Sequence, residues 1–241
     1  MKTLVIVAHP DDEVLAMGGT IRKLVKEGHQ VKIIFMATGI FARRSDNYKT
    51  TNRYDINSYT VEIMNKQVKE LRSDAKKANQ ILGVRDIEFV NFPDNEMDKI
   101  SNLEITKKIE QVLASYKPNI VFTHTQYDIN VDHRAIYNAT ITATRPTKKT
   151  QISSVISFEV PSSTEWYFPS KFSPNIFVDV TKELNLKLKA LKAYKNEIRR
   201  FPHPRSAEAL EVIAKRWGTI AGFFAAEAFC LVREFKKNFK F

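Results

Sequence analysis

"TLVIVAHPDDEVLAMGGTI", residues 3–21, decides the fold. Leu4 to Ala8 form an apolar run of one strand's length, and a strand with no polar alternation is covered on both faces. The run leads straight into His9, Pro10 and three consecutive acids, Asp11, Asp12 and Glu13. A helical pattern then covers residues 14–27 and ends at Gly28. Strand, tight turn and helix make the first half of a βαβ unit. Ligands of such sheets sit outside the carboxyl ends of the strands, where this histidine and these acids stand.

The rhythm repeats along the first half of the chain. Runs rich in Val, Ile and Phe at 31–38, 87–92 and 119–124 read as further strands. Helical patterns lie between them at 58–82, ending at Gly83, and at 103–116, ending before Pro118. This predicts an α/β fold, a Rossmann-like doubly wound and mostly parallel sheet with helices on both faces. After residue 150 the pattern changes. Strands are expected at 153–160 and 175–180, helices at 181–199 and about 206–217, while 225–235 fits either a strand or a helix. The reading is one domain over 1–241, with a Rossmann-like core at 1–150 and a C-terminal extension, 151–241, packing on it. The polar, aperiodic segment 40–58 is the candidate for a mobile active-site loop.

With 241 residues, 43% of them hydrophobic, the chain can bury a substantial core. No stretch approaches the roughly 20 apolar residues needed to span a bilayer, so no membrane segment is expected. The first strand is too short, and too closely followed by acids, to be a signal peptide, which predicts a cytoplasmic protein. The single cysteine, Cys230 in "AEAFCLV", excludes an internal disulfide and a multi-cysteine metal site; it reads as a buried, inert thiol. Any metal must therefore be held by His, Asp or Glu. The net charge of +11 comes from lysines and arginines scattered over helix-like segments. They read as a solvated surface with some attraction for an anionic substrate. A nucleic-acid-binding module, the reading from another functional class, needs clustered basic residues with interleaved aromatics, and that cluster is absent.

In "HPDDE", His9 and Asp12 stand three apart in a turn stiffened by Pro10, and that spacing can aim an imidazole and a carboxylate at one spot. Catalytic zinc takes three N or O ligands and keeps a fourth position open. His133 in "DINVDHRAI", after the fourth strand, is the candidate third ligand. Asp11, between the first two, would face elsewhere and take a proton from the metal-bound water. Three acids ahead of an apolar helix also serve capping and the helix dipole. Capping alone does not explain two chemistry-bearing strand ends in one sheet.

The chain resembles the LmbE-like, or PIG-L-type, zinc deacetylases, which remove an N-acetyl group from an amino sugar. The resemblance rests on "AHPDDEVLAMGGTI", "ILGV" (81–84), "NFPDNEMD" (91–98) and "DHR" (132–134). The later "FEVPSSTEW", "SPNIFVDVT", "HPRS" and "AEAFCLVR" are similar to the branch with a long C-terminal half. It implies zinc, or another divalent ion that the same ligands accept, on His9, Asp12 and His133. It implies Asp11 as general base and a supporting role for Glu13 next to the ligands. Many members carry a histidine three residues before the ligand histidine, where it helps to stabilise the oxyanion; here Asn130 stands there. An asparagine donates a neutral hydrogen bond but supplies no proton. The oxyanion donor is then Asn130, Tyr127, His124 or His203, and the leaving amine is protonated by Asp11, or by His203 or His124. Arg43, Arg72, Asp94 and Arg205 are the first candidates for substrate contact, Asn95 and Ser206 standing beside the last two. Glu159 and the serines after it line the pocket or cap a helix, and Trp166 is expected in the core unless it stacks on a sugar. The expected substrate is an N-acetylated sugar or sugar conjugate. Another acyl amide or an ester would use the same machinery.

Overall fold

A computed structural model describes residues 1–43, 58–146 and 151–236. The first strand, β1 (Lys2–Val7), is buried from Thr3 onward. It is followed by α1 (Asp12–Lys26), β2 (Gln30–Ala37), α2 (Ser58–Leu82), β3 (Asp86–Phe92), α3 (Asn102–Tyr116), β4 (Ile120–His124), α4 (Val131–Ala143) and β5 (Ser154–Phe158). Strands β1 to β5 pair in parallel, and parallel pairing requires long crossovers such as these helices. The rest of the chain adds β6 (Ile176–Asp179), α5 (Leu184–Leu191), α6 (Ala207–Ala221) and β7 (Ala226–Glu234). Among the described residues these strands form one sheet in the order β3-β2-β1-β4-β5-β7-β6. The fold is α/β, with a doubly wound and mostly parallel sheet.

Alternate residues of β1 serve opposite faces, as strand geometry demands. Val5 and Val7 join a core with α1, α2 and the α5 region, while Leu4 and Ile6 join a second core with α3 and α4. Strand order reverses beside β1, which pairs with β2 on one side and β4 on the other. The carboxyl ends of β1 and β4 therefore flank the crevice at which such sheets bind ligands.

The C-terminal region decides one open alternative and departs from expectation at three points. Residues 226–234 form a strand, β7, which runs antiparallel to both β5 and β6. The helix expected over 181–199 is regular only at Leu184–Leu191. Beyond it the backbone closes tighter turns, Tyr194 N to Leu191 O and Glu197 N to Tyr194 O, which bury Tyr194 and Glu197. Helix α6 runs on to Ala221 and stops at Gly222, whose positive φ supplies the left-handed cap. Cys230 is only half-buried rather than enclosed, and burial still pushes its thiol up from 9.0, so it is a poor nucleophile. Among the described residues no helix is long and apolar enough to cross a membrane.

Helix α1 is broken at Met17 (φ −145°, ψ 26°), which exposes amides that a continuous helix would satisfy. Glu227 of β7 accepts from Gly19 N (2.9 Å) and Thr20 N (2.6 Å), and the buried Lys187 ammonium sits 2.7 Å from the same carboxylate. The close approach depends on Gly19, because a Cβ there would lie 2.8 Å from Val180 Cβ. Gly19→Ala is therefore expected to lose about 1–3 kcal/mol of stability through overpacking. Urea unfolding of the two proteins checks it, and equal midpoints would show that the helix can shift away freely.

Candidate metal centre

The turn leaving β1 places His9, Asp11 and Asp12 within four residues, all buried. Asp12, the first residue of α1, turns its Oδ2 back to accept from His9 N at 2.8 Å, which fixes the turn. The second contribution comes from the loop after β4. Asn130 caps α4, its Oδ1 accepting from Asp132 N at 2.9 Å, and this sets His133 in the first turn, facing Asp12. His133 Nε2 lies 3.4 Å and His9 Nδ1 3.5 Å from Asp12 Oδ2. His9, Asp12 and His133 thus bring their ligand atoms within 4.8 Å of one another.

Each histidine is oriented through its other nitrogen. His133 Nδ1 lies 3.0 Å from Asp128 Oδ2, and that oxygen also accepts from the hydroxyls of Ser163 and Thr164, both at 2.8 Å. His9 Nε2 lies 3.0 Å from Asp132 Oδ2 and 3.1 Å from Asp94 Oδ1. Such carboxylate partners fix the tautomer and ring orientation of metal-binding histidines. Asp128 and Asp132 received no role from the sequence, although "YDINVDHR" spaces both acids next to the ligand histidine.

The residues fit a divalent cation. Asp12 Oδ1 and His133 Nε2 are buried without a hydrogen-bond partner, which is costly unless something else takes their lone pairs. A second group, His9, Asp94 and Asp132, is also compact enough for a metal. Its carboxylates are already occupied: Asp132 accepts from Asn95 N (2.7 Å) and Met97 N (3.0 Å), and Asp94 from Ala42 N (2.9 Å). The first group is the better site. Two imidazoles and a carboxylate form a donor set that zinc accepts, as do other divalent ions.

Charge supports the same reading. Although burial alone raises Asp12, the facing His133 and His9 hold its carboxyl well below the usual range. Burial drives Asp11 the other way, well above the usual carboxylate range and against the pull of Arg205, whose Nη1 is 3.3 Å from Asp11 Oδ2. The same guanidinium nitrogen lies 3.2 Å from Glu197 Oε2, and Nε donates to Ser162 Oγ at 2.8 Å. Asp11, Asp94, Asn130, Glu197 and Arg205 line a cavity of about 150 Å³ together with His9. Glu197 escaped the sequence reading because it lies in a segment that looks like plain helix.

Of the residues expected to touch substrate, Asp94 and Arg205 line this cavity, but Arg205 is engaged by the carboxylates of Asp11 and Glu197. Arg72 is elsewhere: its guanidinium lies 5.0 Å over the Phe89 ring and donates to Asn91. The side chain of Arg43, with residues 44–57 of the expected mobile loop, lies outside the described residues. His203 does not line the cavity. Its Nδ1 accepts from Arg205 N at 3.0 Å and its ring meets the edge of Trp166. His124 is fully buried and stacked 3.9 Å behind His133, with Nε2 accepting from Ala8 N. Trp166 is 46% exposed rather than in the core.

Glu159 belongs to neither the cavity nor a cap. It accepts from Trp217 Nε1 at 2.6 Å, and burial raises its carboxyl to about 7 from 4.5. Between those values the folded state holds the extra proton, so this residue's contribution to stability falls as pH rises from about 4.5 to 7. Glu159→Gln keeps an acceptor for the indole and removes the titration. Its stability relative to the parent is expected to improve by about 1–3 kcal/mol between pH 5 and pH 8. Urea titrations at the two values check this, and an unchanged difference would contradict it.

Fold and site together define a doubly wound α/β protein with a buried histidine and aspartate metal-ligand cluster at its switch point. The chain belongs to the PIG-L family, whose model, described as GlcNAc-PI de-N-acetylase, matches residues 4–144. Diacetylchitobiose deacetylase of Thermococcus kodakarensis is 24% identical over 94% of this chain and 81% of its own. Among solved structures, the N,N'-diacetylchitobiose deacetylase of Pyrococcus horikoshii superposes with a TM-score of 0.75 at 23% identity, covering 96% of this chain and 83% of that one. The 4-carboxy-2-hydroxymuconate hydratase GalB of Pseudomonas putida superposes at 0.72 with 22% identity, over the full length of both chains. The last of these shows that the fold carries more than one water-adding reaction, so the reaction must be argued from the site.

Proposed function

We propose that the protein is a metal-dependent hydrolase that removes the acetyl group from an N-acetylated amino sugar or sugar conjugate. The observation that carries this reading is the buried His9, Asp12 and His133 cluster, with Asp11 and His9 lining a common cavity of about 150 Å³. The family match and the diacetylchitobiose deacetylase relative support the substrate class. A divalent cation held by His9, Asp12 and His133, zinc or another ion that these ligands accept, would supply Lewis acidity for the amide carbonyl and acidify a water.

The chain's own residues supply the remaining steps. Asp11 accepts the proton from the attacking water as the water oxygen bonds to the carbonyl carbon. The Asn130 amide group, with its Oδ1 already bound to Asp132 N, has its NH2 left to donate to the developing oxyanion. Asp11 then returns its proton to the nitrogen as the C–N bond breaks, leaving acetate and a free amine. A buried carboxyl with a raised affinity for protons suits both halves of that transfer, and the Arg205 guanidinium holds it on the cavity wall. His203 and His124, placed off the cavity, are not needed as acids.

The test is acetate release from free, nucleotide-linked, lipid-linked and thiol-conjugated N-acetyl sugars, with and without a chelator. At least one substrate is expected to yield acetate and amine in equal amounts, with loss on chelation and recovery on adding zinc. A metal-loaded protein that releases acetate from none of them overturns the reading.

A further inference from the structure

Asp11 holds a backbone conformation that L-residues avoid, with φ 117° and ψ −27°. Such a residue is strained by about 1–3 kcal/mol and keeps its shape only where neighbouring contacts over-determine it. The turn leaves its amide facing Glu13, whose Oε2 accepts from Asp11 N at 3.1 Å. This resembles a capping box, in which an acid in the first turn reaches back to the amide of the capping residue. A long acidic side chain cannot enforce a backbone angle unless its own carboxylate is fixed.

Two buried side chains fix it, and neither belongs to the turn. Asn79 of α2 donates from Nδ2 to Glu13 Oε1 at 2.9 Å and, through the same nitrogen, to Ala75 O. Tyr194, in the tight turns after α5, donates its hydroxyl to the same Oε1 at 2.5 Å. Glu13, Asn79 and Tyr194 are all fully buried, and Tyr194 is among the largest enclosed side chains. None of the three lines the cavity.

We infer that Tyr194 and Asn79 are positioning residues for the reaction: they clamp Glu13, and Glu13 holds the Asp11 backbone in the strained turn that presents its carboxylate to the cavity. The chain thereby makes its base depend on the C-terminal region, which contributes Tyr194 on one side and Arg205 on the other. The inference rests on the deacetylase reading for its assay and on the hydrogen-bond geometry for its content.

The test is Tyr194→Phe, which removes one hydroxyl and keeps the ring, assayed with the substrate on which the parent protein releases acetate. A misplacement of the base on the ångström scale lowers kcat by about ten- to a hundredfold. KM is expected within about twofold of the parent and the metal content unchanged, because neither Tyr194 nor Glu13 is a ligand candidate or lines the cavity. Because Tyr194 acts through Glu13, the double variant Tyr194→Phe/Glu13→Gln is expected to be no slower than the slower single variant. A structural role alone would lower the unfolding midpoint and leave kcat per metal-loaded molecule intact. If Tyr194→Phe does not fold, Asn79→Ser makes the same test. Full kcat in a folded, metal-loaded variant, or additive losses in the double variant, overturns the inference. Absence of acetate release by the parent overturns the deacetylase reading instead.

Discussion

Asp11→Asn is expected to lower kcat by about 10²- to 10⁴-fold, the usual contribution of a positioned general base, while leaving the metal content at about one ion per chain. Asparagine matches aspartate in shape, so the turn and the Glu13 contact to its amide survive. What disappears is the ability to accept a proton from water and return it to the amine. Asp11 is not in the ligand cluster, so the two effects separate cleanly. The check is steady-state kinetics on protein whose metal has been counted. Hydrolysis at the parent rate would remove Asp11 from the chemistry and leave the cavity without a base on the β1 turn.

His133→Ala is expected to lose both the metal after dialysis and all measurable hydrolysis. The substitution deletes an Nε2 that has no protein donor and leaves Asp128 without the imidazole it orients. Losing one of three ligands weakens the site well beyond the 10- to 100-fold that loss of a supporting partner brings. Asp94→Asn is the matched control: Asp94 is a ligand candidate only in the rival group with His9 and Asp132, and its contact to His9 Nε2 is backed by Asp132 Oδ2 at 3.0 Å. It is expected to retain the metal. Elemental analysis of the dialysed proteins decides the pair, and the opposite pattern would move the metal to the rival group.

The sheet was legible because strands buried on both faces read as continuous apolar runs. β1, β2 and β4 carry that pattern, the edge strand β3 reads as a strand from its Ile, Phe and Val content instead, and Gly28, Gly83 and Pro118 mark where helices stop. β7 was ambiguous because an apolar run of its length fits a strand or a helix equally well until its partners are known. The helix over 181–199 was overextended for a physical reason: Tyr194 and Glu197 have helical spacing, yet their burial against Glu13 and Arg205 tightens the chain into turns. In the site, the grouping of His9, Asp12 and His133 is readable since "HPDDE" and "DH" hold these residues at fixed local spacing. The groups that steer them were not. Asn79, Tyr194 and Glu197 come from distant segments and resemble ordinary helix residues until the fold brings them within hydrogen-bond or ion-pair reach. Arg205 lines the cavity, as a substrate-contact candidate must, but a sequence does not show that Asp11 and Glu197 also hold its guanidinium.

His9, Asp12 and His133 are proposed to hold one divalent cation beside Asp11. The most direct test is a crystal structure of zinc-loaded protein with diffraction collected above and below the zinc edge. A single anomalous peak is expected among His9, Asp12 and His133, within bonding distance of Asp12 Oδ1 or Oδ2 and of a nitrogen from each histidine. A peak confined to His9, Asp94 and Asp132, or no peak in a zinc-saturated crystal, would contradict it.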